Sequence, residues 1–151
     1  MASSLISGGI ALLLLLVGGY VIAGGILNMA ESTMAAQSEI TLVHENILQT
    51  SISISTAVYG TGTLTLGIMN SGTTNFKMSD SNLQLFLIDS SSVLHSDQSF
   101  TPTISAEKIN IGFWDPSEIL TVTVSGLSGT PKWVKFVTPN GITAETSTFT
   151  T

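Results

Sequence analysis

The chain has 151 residues, enough for one compact domain and one additional element. Hydrophobic residues make up 43% of it and charged residues only 9%, whereas about a quarter of an average soluble domain is charged, so part of the chain is expected to lie outside water. The chain has a formal net charge of −6, and its basic residues are four scattered lysines. These cannot neutralise a phosphate backbone, which argues against nucleic-acid binding. The absence of cysteine excludes disulfides and cysteine-type zinc sites.

The first 30 residues carry no charged side chain. Residues 5–27 form a long apolar segment, and a bilayer core about 30 Å thick needs roughly 20 residues of helix to cross it. We therefore predict a transmembrane helix, or the core helix of a filament. A cleaved secretory signal is the alternative, but its apolar core is usually about 7–15 residues long and follows a basic start. Here the run is longer and no Lys or Arg precedes it.

After Ala30 the pattern becomes amphipathic, which predicts that the helix continues as a stalk to about Gln49. Residues 1–49 are thus predicted to form a transmembrane and stalk helix, and residues 50–151 a separate β domain. Because neither end of the helix carries Lys or Arg, charge does not define its orientation in a membrane. The apolar face of the stalk comprises Leu27, Ala30, Met34, Ile40, Val43, Ile47 and Leu48.

From Thr50 onwards apolar residues alternate with polar ones, as in strands with one buried face. Seven or eight short strands separated by turn sequences predict an antiparallel β-sandwich of the immunoglobulin type. The first two strands are centred on Ile52–Val58 and Leu64–Ile68, on either side of a Gly60-Thr61-Gly62 turn. The later candidates are Leu83–Ile88, Val93–His95, Lys108–Phe113, Ile119–Val124, Lys132–Thr138 and Ile142–Phe149.

The sequence offers little for catalysis. The chain has two histidines, His44 on the predicted stalk and His95 beside a loop. A catalytic triad needs a histidine next to a nucleophile and an orienting acid. Ser96 and Asp97 follow His95 in sequence, but adjacency along the chain is not triad geometry. We interpret His95 as a solvated loop residue, and we expect no enzymatic activity and no cofactor.

Neither metal binding nor paired-carboxylate chemistry is predicted. Asp80, Asn82 and Gln84 begin like a calcium-binding loop, but Leu85 occupies the position where that loop requires glycine. Asp115 and Glu118 are the best candidates for a pair of carboxylates, and their spacing is more typical of a turn that leads into a strand.

Three segments of the β domain resemble a known family. TLTLGIMNSGTTNFKMSDSNLQLFLID (63–89) resembles its strand, Asn-x-Gly-Thr/Ser turn and second strand that ends in Asp-Gly. INIGFWDPSEILTVTV (109–124) resembles its Trp-x-Pro-Gly-Glu followed by an alternating strand. KWVKFVTPNG (132–141) resembles its Arg/Lys-Val-Lys-Val-Val-Thr-x-Asn-Gly. Together with one N-terminal helix, these segments resemble the archaellum accessory protein F family (FlaF or ArlF type), within the archaellin and type IV pilin-like superfamily.

The resemblance implies a single-pass anchor in the archaeal cytoplasmic membrane and an extracytoplasmic sandwich that binds surface-layer (S-layer) protein. With a partner of family G, such a protein acts as a stator of the rotating filament. Two turns depart from the family pattern, since Asp89-Ser90 replaces Asp-Gly and Pro116-Ser117-Glu118 replaces Pro-Gly-Glu. From the matched motifs we predict seven fold-defining positions: Asn70, Gly72, Trp114, Pro116, Glu118, Asn140 and Gly141.

Two other functions remain open on the sequence. One is a filament-forming archaellin or archaeal pilin, and the other is the family G stator partner, which shares the helix-plus-sandwich plan. The N-terminal helix lacks the basic residue and glycine expected before a class III signal-peptidase cut, which favours anchoring over polymerisation. Homo-oligomers or hetero-oligomers with a pilin-like partner are expected.

An exposed sheet edge is the expected binding surface, because its unpaired backbone groups can accept another strand. Trp114 and Trp133 are predicted to pack in the core or on a sheet. Possible apolar contacts to a partner are Phe76, Phe100, Phe113 and Trp114.

Overall fold

The computed structural model describes residues 2–78, 82–96, 99–105, 107 and 109–151. The chain divides into two compact units, Met1–Leu42 and Val43–Thr151. The helix ends at Gln49, the position predicted for the domain boundary, whereas the second compact unit already begins at Val43. The second unit therefore contains the last turns of the helix together with all the described strands.

Helix α1 spans Ala2–Gln49. In its N-terminal half, large apolar side chains surround the helix and are exposed, for example Leu15 at 77% and Tyr20 at 81%. A helix that is apolar on all sides needs lipid or other helices around it. Further along, the hydroxyls of Ser32, Thr33 and Thr41 donate to the carbonyl four residues earlier at 2.8–2.9 Å. These polar side chains are thereby satisfied within the helix itself.

The β domain contains two four-stranded sheets and a small two-stranded one. The first sheet has the order β1-β2-β8-β6, the second has the order β10-β9-β4-β5, and β3 pairs with β7. All these pairs are antiparallel. This arrangement is the ABED and GFC pattern of an immunoglobulin-like sandwich, which confirms the predicted fold class. The strands are β1 (Ile52–Gly60), β2 (Thr63–Asn70), β3 (Phe76–Lys77), β4 (Gln84–Asp89), β5 (Leu94–His95), β6 (Thr101–Ser105), β7 (Phe113–Trp114), β8 (Ile119–Val124), β9 (Pro131–Val137) and β10 (Thr143–Thr146).

The core lies between the two large sheets and follows the period-2 pattern of the strands. Trp114 packs edge-to-face on Phe136, with ring centroids 6.2 Å apart, and it also contacts Phe76 at 5.7 Å. This aromatic cluster fills the centre, and alternate aliphatic residues of four strands surround it. Those exposed by 0–1% are Leu64, Leu66, Ile68, Leu85, Leu87, Leu120, Val122, Val124 and Val134.

One edge of the sandwich is partly covered by Thr150, which follows β10 in the chain. Thr150 donates its backbone N–H to the carbonyl of Ala57 and accepts the N–H of Tyr59, both at 2.9 Å. It thereby forms a parallel bridge opposite Val58 on the outer side of β1. Part of the β1 edge is therefore already paired within the chain.

One strand prediction was wrong, and others differ from the structure in their extent. The predicted strand Lys108–Phe113 is a turn over residues 109–112, with a φ of 86° at Gly112, and the strand begins at Phe113. Lys108 itself lies outside the described residues. The strand Thr101–Ser105, which contains Pro102, was not predicted. It is an edge strand of the first sheet, where proline is tolerated. The last predicted strand is also shorter, ending at Thr146 rather than Phe149.

Candidate functional site

The Asn70 side chain organises the loop that follows β2. Asn70 is fully buried, and its Nδ2 donates to the carbonyl of Thr74 at 2.8 Å and to the carbonyl of Trp114 at 3.3 Å. Its Oδ1 accepts the N–H of Gly72 at 3.1 Å. One amide thus joins the Asn-Ser-Gly-Thr turn to β7 and leaves none of its polar atoms unpaired in the core.

Gly72 lies directly against the chain that leaves the helix. The N–H groups of Ser71 and Gly72 both donate to the carbonyl of Ser51 at 2.9 Å, and Thr73 N–H donates to the carbonyl of Gln49 at 2.9 Å. A Cβ atom at position 72 would lie 2.4 Å from that Gln49 oxygen and 2.5 Å from the Ser51 nitrogen. Since both contacts are with backbone atoms, a residue larger than glycine does not fit.

The turn between β7 and β8 is held by side chain to backbone bonds. The indole Nε1 of Trp114 donates to the carbonyl of Glu118 at 3.0 Å, and the Glu118 carboxylate accepts the N–H of Asp115 at 3.1 Å. Ser117 has a φ of 67°, in the left-handed region that favours glycine. It occupies the position at which the resembled family has glycine. The turn is therefore formed here with serine in a left-handed conformation.

The candidate carboxylate pair, Asp115 and Glu118, is buried, with each residue 2% exposed. Asp115 accepts the backbone N–H of Asn110 at 3.0 Å and its Nδ2 at 3.3 Å. Both carboxylates thus accept protein N–H groups, as expected of a turn that leads into a strand. Among the residues that the structure describes, no group of three or more His, Asp or Glu could hold a metal ion. Asp80 of the rejected calcium loop lies outside them.

Asn140 joins the third motif to the same region. Its Nδ2 donates to Thr50 Oγ1 at 2.6 Å and to the carbonyl of Asn46 at 3.4 Å, and its Oδ1 accepts the hydroxyl of Thr138 at 2.6 Å. Thr50 Oγ1 in turn lies 3.1 Å from Thr74 Oγ1. A continuous chain of hydrogen bonds therefore runs from Trp114 through Asn70 to Asn140.

The other predicted fold-defining positions, Pro116 and Gly141, lie in turns. Pro116 is half-buried between Asp115 and Ser117, and Gly141 is exposed with a φ of 82°. Gly141 lies in a turn that Thr138 closes, since the Thr138 carbonyl accepts the N–H of Gly141 and the Thr138 hydroxyl lies 3.0 Å from the carbonyl oxygen of Ile142. Its left-handed backbone is a conformation that glycine adopts without steric cost.

The four predicted partner contacts divide into two groups. Phe76 and Trp114 are 7% and 0% exposed, so neither side chain is available to a partner in the folded domain. Phe100 and Phe113 are half-buried, and Phe100 packs against Phe136 at 6.2 Å. Trp133 is not a core residue: it lies half-buried on the outer face of β9, because the buried residues of that strand are Val134 and Phe136.

His95 is not a solvated loop residue, which corrects that interpretation. It lies in β5, and its Nε2 is 3.0 Å from Oδ2 of Asp89. The same carboxylate accepts the backbone N–H groups of Ser91 and Val93 at 2.8 and 3.0 Å. The hydrogen bond from His95, followed by those from the backbone, lowers the pKa of Asp89 below its ordinary value. Asp97, the acid beside His95 in sequence, lies outside the described residues.

The structure thus defines a helix followed by an immunoglobulin-like β-sandwich, with its sequence motifs gathered in one hydrogen-bonded network. No protein-family model and no curated protein matches the chain. Among solved structures, the archaellum periplasmic stator protein FlaG from Sulfolobus acidocaldarius is similar, with 18% identity and a TM-score of 0.48 over 64% of this chain and 97% of that one. The FlaF and FlaG stator complex from the same organism is similar at 19% identity and a TM-score of 0.46, over 63% of this chain and 85% of that one.

Proposed function

We propose that this chain is a membrane-anchored, non-enzymatic structural protein of the archaellum motor, whose extracytoplasmic sandwich binds the surface layer as a stator element. The observation that carries the proposal is the network from Trp114 through Asn70 to Asn140, because it brings together the three segments that resemble the archaellum family. The motif residues therefore act together on one part of the fold, as expected if the resemblance extends to the whole domain.

The anchor follows from the exposed apolar helix. Residues 5–27 carry no charge, and large apolar side chains from Ile6 onwards are exposed, for example Leu14 at 66% and Ile22 at 65%. A helix of this length and composition can cross a bilayer. We expect the full chain to require detergent and a fragment beginning at Glu31 to be soluble without it. A full chain that is monomeric in plain buffer would exclude the anchor.

Surface-layer binding is tested by a pull-down on isolated surface layer at about 50 and 500 mM salt, a range over which the Debye length shrinks several-fold. The sandwich has few charges for electrostatic steering, so we expect binding that changes little between the two. Absence of binding at either salt would favour the filament-subunit alternative. Binding lost only at the higher salt would assign the contact to the acidic residues instead.

Mass spectrometry of the native N-terminus separates an anchor from a filament subunit. An intact start at Met1 or Ala2 supports the anchored protein. A start within residues 5–10 would indicate processing and assembly of the helix into a fibre, as for an archaellin or pilin. The family G partner shares the anchored plan, so an intact N-terminus is expected for it as well.

A further inference from the structure

The part of helix α1 that follows the apolar segment carries both acidic and exposed apolar side chains. We call residues 28–49 the stalk. Its acids are Glu31, Glu39 and Glu45. These charges keep the stalk in water, yet large apolar side chains remain uncovered there, among them Met29 at 75% and Ile40 at 68% exposure. Apolar residues that recur along a water-exposed helix indicate a surface that another element covers.

The exposed apolar residues of the stalk are spaced alternately four and three positions apart. We call the following five residues the stalk seam: Met29, Thr33, Ala36, Ile40 and Val43. All five are exposed, and Ile26 and Ile22 continue the same spacing back into the apolar segment, so that it extends over three heptads. A repeat of about 3.5 residues, rather than the 3.6 of a straight helix, keeps one face against a second helix as the two supercoil. The spacing is therefore typical of a coiled coil.

The one hydroxyl in the seam does not break this pattern. Thr33 Oγ1 donates to the carbonyl of Met29 at 2.8 Å, so it needs no hydrogen-bond partner from another chain. The neighbouring row of the helix is less suitable, because three of its five members are polar: Ala30, Met34, Gln37, Thr41 and His44. Covering that row would remove an amide and an imidazole from water. The stalk seam is thus the better contact surface.

A second copy of this chain fits the seam better than a helix of unrelated sequence. Two copies that are anchored by residues 5–27 in the same membrane are parallel, and they place each residue at the same height. Every seam residue then meets its own counterpart, as the interlocking side chains of a parallel coiled coil require. A different protein would need the same repeat at the same height.

The charged residues of the stalk are complementary in this arrangement. In a parallel coiled coil, the residue just before a seam position lies near the residue five positions later on the other helix. This relation brings Glu39 close to His44 of the second copy, and the twofold axis repeats the pair. Both residues are exposed. Glu31 and Glu45 lie on the side of the helix opposite the seam, where the like charges of two copies are far apart.

We propose that the stalk seam joins two copies of this chain in a parallel, in-register coiled coil. The inference rests on the membrane anchor of the proposed function and not on surface-layer binding. The two are tested separately, because failure of the anchor appears as solubility without detergent and failure of the coiled coil as loss of cross-linking. The arrangement also differs from a helical filament, in which each subunit is shifted along the axis and identical residues do not meet.

A single cysteine in the seam tests this pairing, because the chain has no cysteine of its own. We would compare Ala36→Cys, in the seam, with Ala35→Cys, at the adjacent exposed alanine about 100° away around the helix. The full chain in nonionic detergent, with micelles in excess, is oxidised with copper phenanthroline. A disulfide needs Cα atoms within about 7 Å, so it forms where identical positions meet. A monofunctional maleimide measures the reactivity of each thiol, to which the yields are normalised.

We expect Ala36→Cys to give a disulfide-linked dimer at about tenfold the yield of Ala35→Cys. Absence of a dimer from Ala36→Cys would overturn the proposal, and it would be the result if a different protein covers the seam or if the copies are staggered. Equal yields from the two positions would also overturn it, because they would indicate random collision of the helices.

A second pair of variants tests the contact itself. Ile40 and Leu42 are 68% and 62% exposed, and only Ile40 belongs to the seam. Ile40→Ser, added to Ala36→Cys, should lower the dimer yield about tenfold, whereas Leu42→Ser should leave it unchanged. Far-ultraviolet circular dichroism checks that the helix is intact, and Ile40→Ala replaces Ile40→Ser if helix content falls. An unchanged yield in an intact Ile40 variant would refute the proposal.

Discussion

Replacing Gly72 with alanine should destabilise the sandwich through a backbone collision alone. The added Cβ would lie 2.4 Å from the Gln49 oxygen and 2.5 Å from the Ser51 nitrogen, and no side-chain rotation can relieve either contact. The loop would have to move away from the chain that leaves the helix. It would then lose the three hydrogen bonds that Ser71, Gly72 and Thr73 donate to Ser51 and Gln49. At about 1 kcal/mol each, the expected loss in free energy of unfolding is about 3 kcal/mol.

For a domain of this size, such a loss lowers the melting temperature by roughly 10–20 °C. Thermal and urea unfolding of the full chain in detergent, followed by near-ultraviolet circular dichroism, would measure it. Gly60→Ala is the matched control, since nothing lies within 4 Å of its added Cβ, and it should change stability by less than about 0.5 kcal/mol. If Gly72→Ala were as stable as this control, the close approach would not constrain the loop and the reasoning would fail.

Three further predictions concern turns and pH. Thr61 has a φ of 48° in the two-residue turn between β1 and β2, a conformation that asparagine tolerates better than threonine. Thr61→Asn should therefore raise the free energy of unfolding in urea by about 0.5–1 kcal/mol. A lower urea midpoint would contradict this. Ser117→Gly should raise the free energy of unfolding by a similar amount, about 0.5–1 kcal/mol, because it removes a left-handed non-glycine residue. The urea midpoint should rise accordingly. The pKa of Asp89 is lowered by His95 and backbone N–H groups, so its contribution to stability is present above its unfolded pKa, near 3.8, and is lost as pH falls through the folded pKa. With its acids neutral the sandwich would carry few positive charges to repel one another, so it should nevertheless remain folded at pH 3–4, and loss of near-ultraviolet circular dichroism by pH 4 would contradict this. Asp89→Asn should flatten the acid limb of the stability curve; an unchanged limb would show that the carboxylate is not involved.

The strands that could be predicted are those in which the alternating apolar residues of the sequence are also the residues buried in the core. Ile119–Val124 was predicted with the bounds that the structure gives, because Leu120, Val122 and Val124 face the core. The sequence around Ile109 and Ile111 alternates in the same way, yet these residues are 68% and 92% exposed in a turn. The turn is fixed by the carboxylate of Asp115, a few residues further along the chain, which accepts the backbone and side-chain N–H groups of Asn110. Local alternation cannot reveal that contact.

In the candidate site, too, some features could be predicted from the sequence and others depend on tertiary contacts. Asn70 and Gly72 could be selected from a turn motif, but their partners Trp114 and Ser51 are set by tertiary structure. His95 pairs with Asp89 across a hairpin rather than with Asp97 beside it in sequence. The outward position of Trp133, by contrast, could have been predicted, because Val134 and Phe136 are the buried alternates in its strand.

The bridge between Thr150 and β1 has a consequence for biosynthesis. Ala57 and Thr150 are 93 positions apart in the chain, so the first strand to be synthesised cannot have its outer side covered until nearly all the sandwich has been made. At about 5–20 residues per second, translation leaves that edge open for roughly 5–20 s. During this interval neighbouring nascent chains could exchange strands at β1. Cotranslational folding of this domain is therefore expected to depend on a chaperone, or on wide spacing of ribosomes at the membrane.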